Sequence, residues 1–244
     1  LPAQFWSPKV NDRDDEFGGS LAGRCRFTVE IATEIGERTD DLAVGVRLSL
    51  EEKHALGLSV AETLPIVEHI DGACDLDYWS VVVGSSATLN GGSYIVPPAT
   101  EDERIVRDPG KSLRHVVEPP VMVTSRIDTP EKAAAIVAAG DADVVGMTRA
   151  LIADPALPRK VRDGHRQTVT PCVACNQGCI GRYLDGLPIR CTVNPVTGRE
   201  TEFADETTRG ESTRDVLVVG GGPAGMTAAV TAADRGHAVT LLEA

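Results

Sequence analysis

Four cysteines, Cys172, Cys175, Cys179 and Cys191, are spaced C-x2-C-x3-C-x11-C. Thiolates are soft ligands that suit zinc or an iron–sulfur cluster. A close trio with a distant fourth lets one loop wrap three corners of a cubane, whereas a structural zinc site more often pairs two C-x2-C knuckles. The spacing favours a [4Fe–4S] cluster, with zinc as the alternative. Clustered cysteines in a chain of this size point to metal rather than to a disulfide framework. Cys25 and Cys74 stand alone and read as core or inert surface thiols.

A second motif lies near the other end of the chemistry. Gly220-Gly221-Gly222-Pro223-Ala224-Gly225 contains G-x-G-x-x-G, with Gly220, Gly222 and Gly225 as its glycines. It follows an apolar run, Val216 to Val219, and precedes a helical stretch to about Arg235 and a strand over Ala238 to Leu242. Glu243 ends that strand. Such glycines permit a tight turn and close approach of a pyrophosphate to a helix N-terminus, and the acid can take a ribose hydroxyl. The setting is that of a dinucleotide site for FAD, ADP or NAD(P)H.

The elements that must position these groups alternate. Ser20 reads as an N-cap, with Leu21, Cys25, Thr28, Ala32 and Ile35 at helical spacing and Gly36 as a stop. A short strand over Ala43 to Leu48 follows, then a helix over Ala61 to Ile70 capped by Ser59. The next strand is Tyr78 to Val83, ending at Gly84. Residues 85–103 read as a long loop. A helix from about Pro109 to Val116, a strand over Val121 to Thr124, a helix begun by Thr129-Pro130-Glu131 and ended by Gly140, a strand over Asp143 to Met147 and a helix around Pro155 to Val161 complete the series. Strands alternating with helices imply a parallel sheet with right-handed crossovers. Four such strands are half a (β/α)8 barrel; a doubly wound sheet is the alternative from pattern alone. The expected divisions are 1–165 for a partial barrel, 166–198 for a loop-rich cluster segment, 199–214 for a polar linker, and 215–244 for the start of a Rossmann-like domain. Both ends read as cut within longer elements.

The chain has 244 residues and a formal net charge of −12, with no Lys/Arg-rich run. Nucleic acid is therefore not expected as a partner, because phosphate binding needs a basic footprint. No apolar run reaches the roughly 18 residues of a membrane span. No membrane partner is expected.

The run Asn11-Asp12-Arg13-Asp14-Asp15-Glu16-Phe17-Gly18-Gly19-Ser20, with Arg24 and Arg26-Phe27 after it, is similar to the N-x-R-x-D-x-[FY]-G-G-S…R-x-R-F signature of the old yellow enzyme family. Gly45-Val46-Arg47-Leu48-Ser49 and Gly146-Met147-Thr148-Arg149, with Asp154-Pro155 beyond, resemble it too. The cysteine spacing resembles that of the long iron–sulfur branch, the trimethylamine dehydrogenase, histamine dehydrogenase and 2,4-dienoyl-CoA reductase type. The resemblance covers essentially the whole chain, in the family's order. It implies an internal fragment that lacks the first half of the barrel and most of the nucleotide domain, and that is itself inactive if the barrel must be whole.

The resemblance also implies roles. Arg47, at the end of its strand, would face the N1/C2=O edge of FMN and favour negative charge on the reduced ring. Arg126 and Arg149, with the backbone of Ser125, Met147 and Thr148, would hold the FMN phosphate, since the loops after the last two strands bind phosphate in such barrels. The family often has Gly where Ser125 stands, and a backbone contact survives that change. The reductase branch carries a catalytic His just past the Gly that ends the second strand, where this chain has Gly84-Ser85-Ser86. The amine branch carries a Trp shortly before that Gly and an aromatic between the third and fourth Cys, matched here by Trp79 and Tyr183; aromatic faces suit cationic amines. Its carboxylate after the Gly is Ser85 here. His54 reads as a solvated loop residue. The implied enzyme uses FMN, one [4Fe–4S] cluster and the second nucleotide. The resemblance further implies a cytoplasmic enzyme acting on a small molecule, with an electron-acceptor protein and a homo-oligomer as further partners to consider. Amine dehydrogenation or demethylation is the first expectation, NAD(P)H-dependent reduction of enones or 2,4-dienoyl-CoA the alternative, and an electron-transfer subunit the non-enzymatic one.

Overall fold

The computed structural model describes residues 2–102, 105–203, 210 and 212–244. The chain divides into two compact units, Leu1–Pro195 and Val196–Ala244.

The first unit opens with α1 (Pro2–Trp6) and α2 (Leu21–Arg38), joined where Trp6 Nε1 donates to Thr28 Oγ1 at 2.7 Å. There follow β1 (Gly45–Glu51), α3 (Val60–Asp71), β2 (Tyr78–Val83), α4 (Leu89–Ile95), α5 (Arg107–Arg114), β3 (Val121–Thr124), α6 (Pro130–Ala138), β4 (Val144–Gly146), α7 (Thr148–Ala153) and α8 (Leu157–Arg162). The helix starts are chemically encoded. Ser20 accepts from Gly23 N, Thr129 accepts from Lys132 N, and Ser59 forms a reciprocal capping box with Glu62. Each such cap is worth about 1 kcal/mol.

The four strands are all parallel and lie in sequential order, β1-β2-β3-β4. A doubly wound sheet reverses its order at a switch point; these strands do not, and their order is that of a barrel wall. Alternation assigns the faces. Leu48, Leu50, Val81, Val83, Val121 and Val123 are buried and share the core with helix residues such as Ile66, Val67 and Leu113. Arg47, Ser80 and Met122 pair across the sheet on the opposite face.

Several boundaries differ from expectation. β1 runs to Glu51, because Leu48 and Leu50 continue the buried alternation. Arg47 is thus its third residue, not its end. The stretch 85–103, expected as a loop, contains α4, with residues 103 and 104 outside the described ones. Its composition hides it, since two glycines lower helix propensity. Thr88 Oγ1 caps it by accepting from Gly91 N at 2.9 Å, and Gly91 approaches so closely that a Cβ there would stand 2.5 Å from Ser85 O. Gly84 turns the chain out of β2 at φ +100°, a region open to glycine. One expected helix near 155–161 is preceded by α7.

The cysteine segment packs within the first unit, through a π-helical turn at Gln177–Gly181 and the short α9 (Arg182–Leu184). The second unit contains β5 (Asp215–Val219), α10 (Pro223–Asp234) and β6 (Ala238–Leu242), a parallel βαβ unit with Val219 opposite Leu242. Of the expected linker, residues 204–209 and 211 lie outside the described ones; Gly210 N donates to Arg235 O at 2.9 Å.

Candidate functional site

The cysteine loop is shaped from its backbone outward. Asp154, at the end of α7, accepts from Lys160 Nζ at 2.6 Å, Thr170 N at 2.9 Å and Ala156 N at 3.0 Å, which fastens the chain just before Cys172. Ala174 (φ +49°) and Asn176 (φ +61°) put left-handed bends on both sides of Cys175. Gly181 N donates to Asn176 O at 2.8 Å and closes the wide turn that carries Cys179. Arg190 N then donates to Gly178 O at 2.6 Å, which returns Cys191 beside that turn. Gly178 has to be glycine, since a Cβ would lie 2.7 Å from Arg190 O.

The result is one cavity lined by Cys172, Cys175, Cys179 and Cys191. Burial pushes the Cys172 thiol up from its ordinary range, while the Thr192 hydroxyl at 3.3 Å pulls Cys175 down. Among the described residues no three Cys, His, Asp or Glu side chains converge on one ion-sized point. A tetrahedral zinc with bonds of about 2.3 Å needs its sulfurs about 3.8 Å apart. A cubane takes one thiolate per iron, so its four donors surround a volume, and four cysteines on the wall of one cavity fit that donor set.

Directly beside it lies a cavity of about 200 Å³ at the carboxyl ends of β3 and β4. Arg47, Thr124, Ser125, Arg126, Thr148, Arg149 and Cys172 stand on its wall, so six of the residues singled out from sequence meet there. Met147 does not line it; it sits as the N-cap of α7, with no side-chain cap on that helix. Arg126 takes a left-handed φ of +42° and donates through Nη1 to Glu101 O. Arg149 donates through Nη1 to Pro97 O at 2.7 Å and to Asn176 Oδ1 at 2.8 Å. Burial lowers the Arg149 pKa most; the Cys172 and Cys179 thiols oppose that shift and the charge of Arg126 adds to it. Two guanidiniums thus reach one half-buried wall. Asp128, also on the wall, is paired with Lys132 at 2.6 Å. The cross-strand neighbour of Arg47, Ser80, keeps a buried Oγ with no hydrogen-bond partner among the described residues.

The cluster cavity and this one share Arg149, Cys172 and Ala174. A third, of about 700 Å³, adjoins through Ile95 and Val96; Ser86, Thr88, Leu89, Ile180 and Tyr183 also line it, and among the described residues no charged side chain does. Tyr183 is 67% exposed at its rim. Trp79 is not there. It is fully buried on the helix-facing side of β2, second from the amino end of the strand, and Nε1 donates to Asp71 at 2.6 Å. Its expected place in a substrate pocket is corrected: face and strand end are both wrong for the mouth at Gly84. His54 lies 4.0 Å from Glu52 and lines none of these cavities. Asn176, Ile95 and Val96 escaped the sequence reading; an Asn directly after a ligand-type Cys was the available signal for the first.

In the second unit Gly220 turns at φ +105°, and Gly225 lies against Gly220 O so closely that a Cβ would stand 1.9 Å away. Gly222 caps α10 without a side-chain hydrogen bond, and Gly221 N donates to Glu243 Oε2. Gly220, Gly222, Gly225 and Glu243 are therefore brought together around one turn.

A family model described as the NADH:flavin oxidoreductase / NADH oxidase family matches residues 1–168, and one described as FAD dependent oxidoreductase matches residues 215–244. An NADH oxidase of Thermoanaerobacter brockii is 38% identical, over 100% of this chain and 37% of the relative. An N,N-dimethylglycine/sarcosine dehydrogenase of Chromohalobacter salexigens is also 38% identical, over 99% of this chain and 35% of the relative. Among solved structures, histamine dehydrogenase from Rhizobium sp. 4-9 superposes with a TM-score of 0.90 at 33% identity, over 100% of this chain and 35% of that one. The chain thus spans 35–37% of the length of these proteins. With residues 1–168 matched, well over half of it, the chain belongs to the NADH:flavin oxidoreductase / NADH oxidase family.

Proposed function

We propose that the full-length protein is an oxidoreductase that uses FMN in the barrel cavity and a [4Fe–4S] cluster on Cys172, Cys175, Cys179 and Cys191, with small amines as electron donors. The observation that carries this is the shared wall of the two cavities, where Arg149, Cys172 and Ala174 border both. A subunit that only relays electrons has no use for the second cavity and its three arginines.

In this reading Arg126 and Arg149 hold the FMN phosphate with the backbone of Ser125 and Thr148. Charge-assisted contacts of that kind are worth about 1.5–3 kcal/mol each. Arg47 lines the same cavity and favours negative charge on the ring. When bound, FMN would accept a hydride from the substrate carbon and hand the electrons on singly to the cluster. Gly220, Gly222, Gly225 and Glu243 begin a Rossmann-like site for FAD, ADP or NAD(P)H, in which the glycine turn meets the pyrophosphate and the carboxylate leaves Gly221 for a ribose hydroxyl.

The amine class draws support from the dimethylglycine/sarcosine and histamine dehydrogenases among the similar proteins, and from Tyr183, whose ring can face a partly positive nitrogen. A second reading, NAD(P)H-driven reduction of enones or dienoyl thioesters, is favoured by the uncharged lining of the 700 Å³ cavity and by the NADH oxidase relative. The test is anaerobic loss of flavin absorbance in the full-length protein. Prompt loss with a methylated or primary amine supports the first reading. Prompt loss with NAD(P)H and none across an amine panel overturns it in favour of the second. No flavin absorbance in protein purified from cells overturns both.

A further inference from the structure

We infer that Asn176 is a positioning residue that couples the two cofactor sites, holding Arg149 toward the flavin cavity from the cluster side. This rests on the FMN and cluster reading above. Asn176 is placed between Cys175 and Cys179, in a left-handed conformation at φ +61° and ψ −5°. Both ends of its amide are engaged. Oδ1 accepts from Arg149 Nη1 at 2.8 Å, and Nδ2 donates to Val96 O at 2.7 Å. Its own carbonyl accepts from Gly181 N at 2.8 Å and shapes the turn that carries Cys179. One residue therefore joins the cluster loop, the segment after α4 and the first turn of α7.

The wiring has a direction. Arg149 borders both cavities, whereas Asn176 borders the cluster cavity and the third cavity but not the flavin cavity. With Nη1 held by Pro97 O and Asn176 Oδ1, Nε and Nη2 have no hydrogen-bond partner among the described residues, and that edge is left for an anion. A long, charged side chain has about 2 kcal/mol of rotamer freedom to lose when it binds a ligand; the Asn176 amide and the Pro97 carbonyl remove part of it beforehand. Coupling of this kind is reciprocal. A cluster loop held in place favours FMN, and bound FMN favours the ordered cluster loop.

The test uses the full-length protein and FMN itself. Asn176→Gly keeps the left-handed backbone without strain and removes only the side chain. It is expected to raise the FMN dissociation constant about ten-fold, the scale of one charge-assisted hydrogen bond. Asn176→Asp keeps the acceptor for Arg149 and is expected to bind FMN within about three-fold of wild type. In a cycle with Arg149→Met, adding Asn176→Gly is expected to change FMN affinity by less than about two-fold, because the route of action is already gone. Chelating the iron from wild type is expected to weaken FMN, and to weaken it less in Asn176→Gly. FMN affinity unchanged by Asn176→Gly, with or without loss of iron, overturns the coupling, as do additive effects in the cycle. A wild-type protein that takes up no FMN overturns the reading beneath it as well.

Discussion

Replacing Asp154 with Ala removes the fastening of the cysteine loop without touching a cysteine. The carboxylate is 5% exposed and holds three donors, Lys160 Nζ at 2.6 Å, Thr170 N at 2.9 Å and Ala156 N at 3.0 Å. Hydrogen bonds to a charged group contribute about 1.5–3 kcal/mol each. The full sum is not lost, since Lys160 is partly exposed and keeps its bond to Thr168 O at 2.8 Å. A net cost of about 1.5–3 kcal/mol is expected, the scale of one hydrogen bond to a charged group, because the Lys160 charge is not left buried and unpaired. The loss falls on the segment from α8 to Cys172. Trypsin should therefore cut faster after Lys160, Arg162 and Arg166, and iron should leave sooner on chelation. The pH dependence follows from the carboxyl itself. Burial pushes it up most strongly, but the bonds from Lys160, Thr170 and Ala156 together hold it below the ordinary range. Its folded pKa thus lies under the unfolded value of about 3.9, so the contribution is complete above about pH 4 and disappears as pH falls through the folded pKa. The difference in melting temperature between wild type and Asp154→Ala should close on acidification. Equal melting temperature, proteolysis and iron retention at pH 7 would refute the reasoning.

Three further outcomes are expected. Arg126→Ala and Arg149→Ala should each weaken FMN retention by about 1.5–3 kcal/mol, read as flavin lost on gel filtration; full occupancy in the double variant contradicts the phosphate roles. Gly225→Ala should abolish the second nucleotide site while sparing bound FMN, because its Cβ would stand 1.9 Å from Gly220 O; titration with ADP reads it, and unchanged affinity contradicts it. Trp79→Leu should lower stability by about 2–4 kcal/mol through a core cavity and leave substrate KM unchanged; a raised KM with an intact melting temperature would return Trp79 to the substrate pocket.

What the sequence made legible was local chemistry. Ser20, Ser59 and Thr129 announce helix starts because a cap needs only its own next turn, and all three accept the hydrogen bonds expected of them. The cysteine spacing and the glycine turn are local in the same sense. Side-chain direction was not local. Trp79 reads as a pocket aromatic by its distance from Gly84, but alternation along β2 turns it toward α3, and its partner Asp71 settles the face. Arg47 falls at a strand end when the strand is read over Ala43 to Leu48; burial of Leu50 carries the strand past it. The two glycines of α4 mask it, and one of them, Gly91, serves close packing against Ser85. Asn176 carries no motif of its own, and its importance lies in contacts with Val96 and Arg149, 80 and 27 residues away in sequence.

The most direct measurement is the metal content of the full-length protein purified without oxygen. Iron and acid-labile sulfide are each expected at about four per chain, with the broad visible absorbance lost in Cys191→Ala. Stoichiometric zinc without iron would contradict the account.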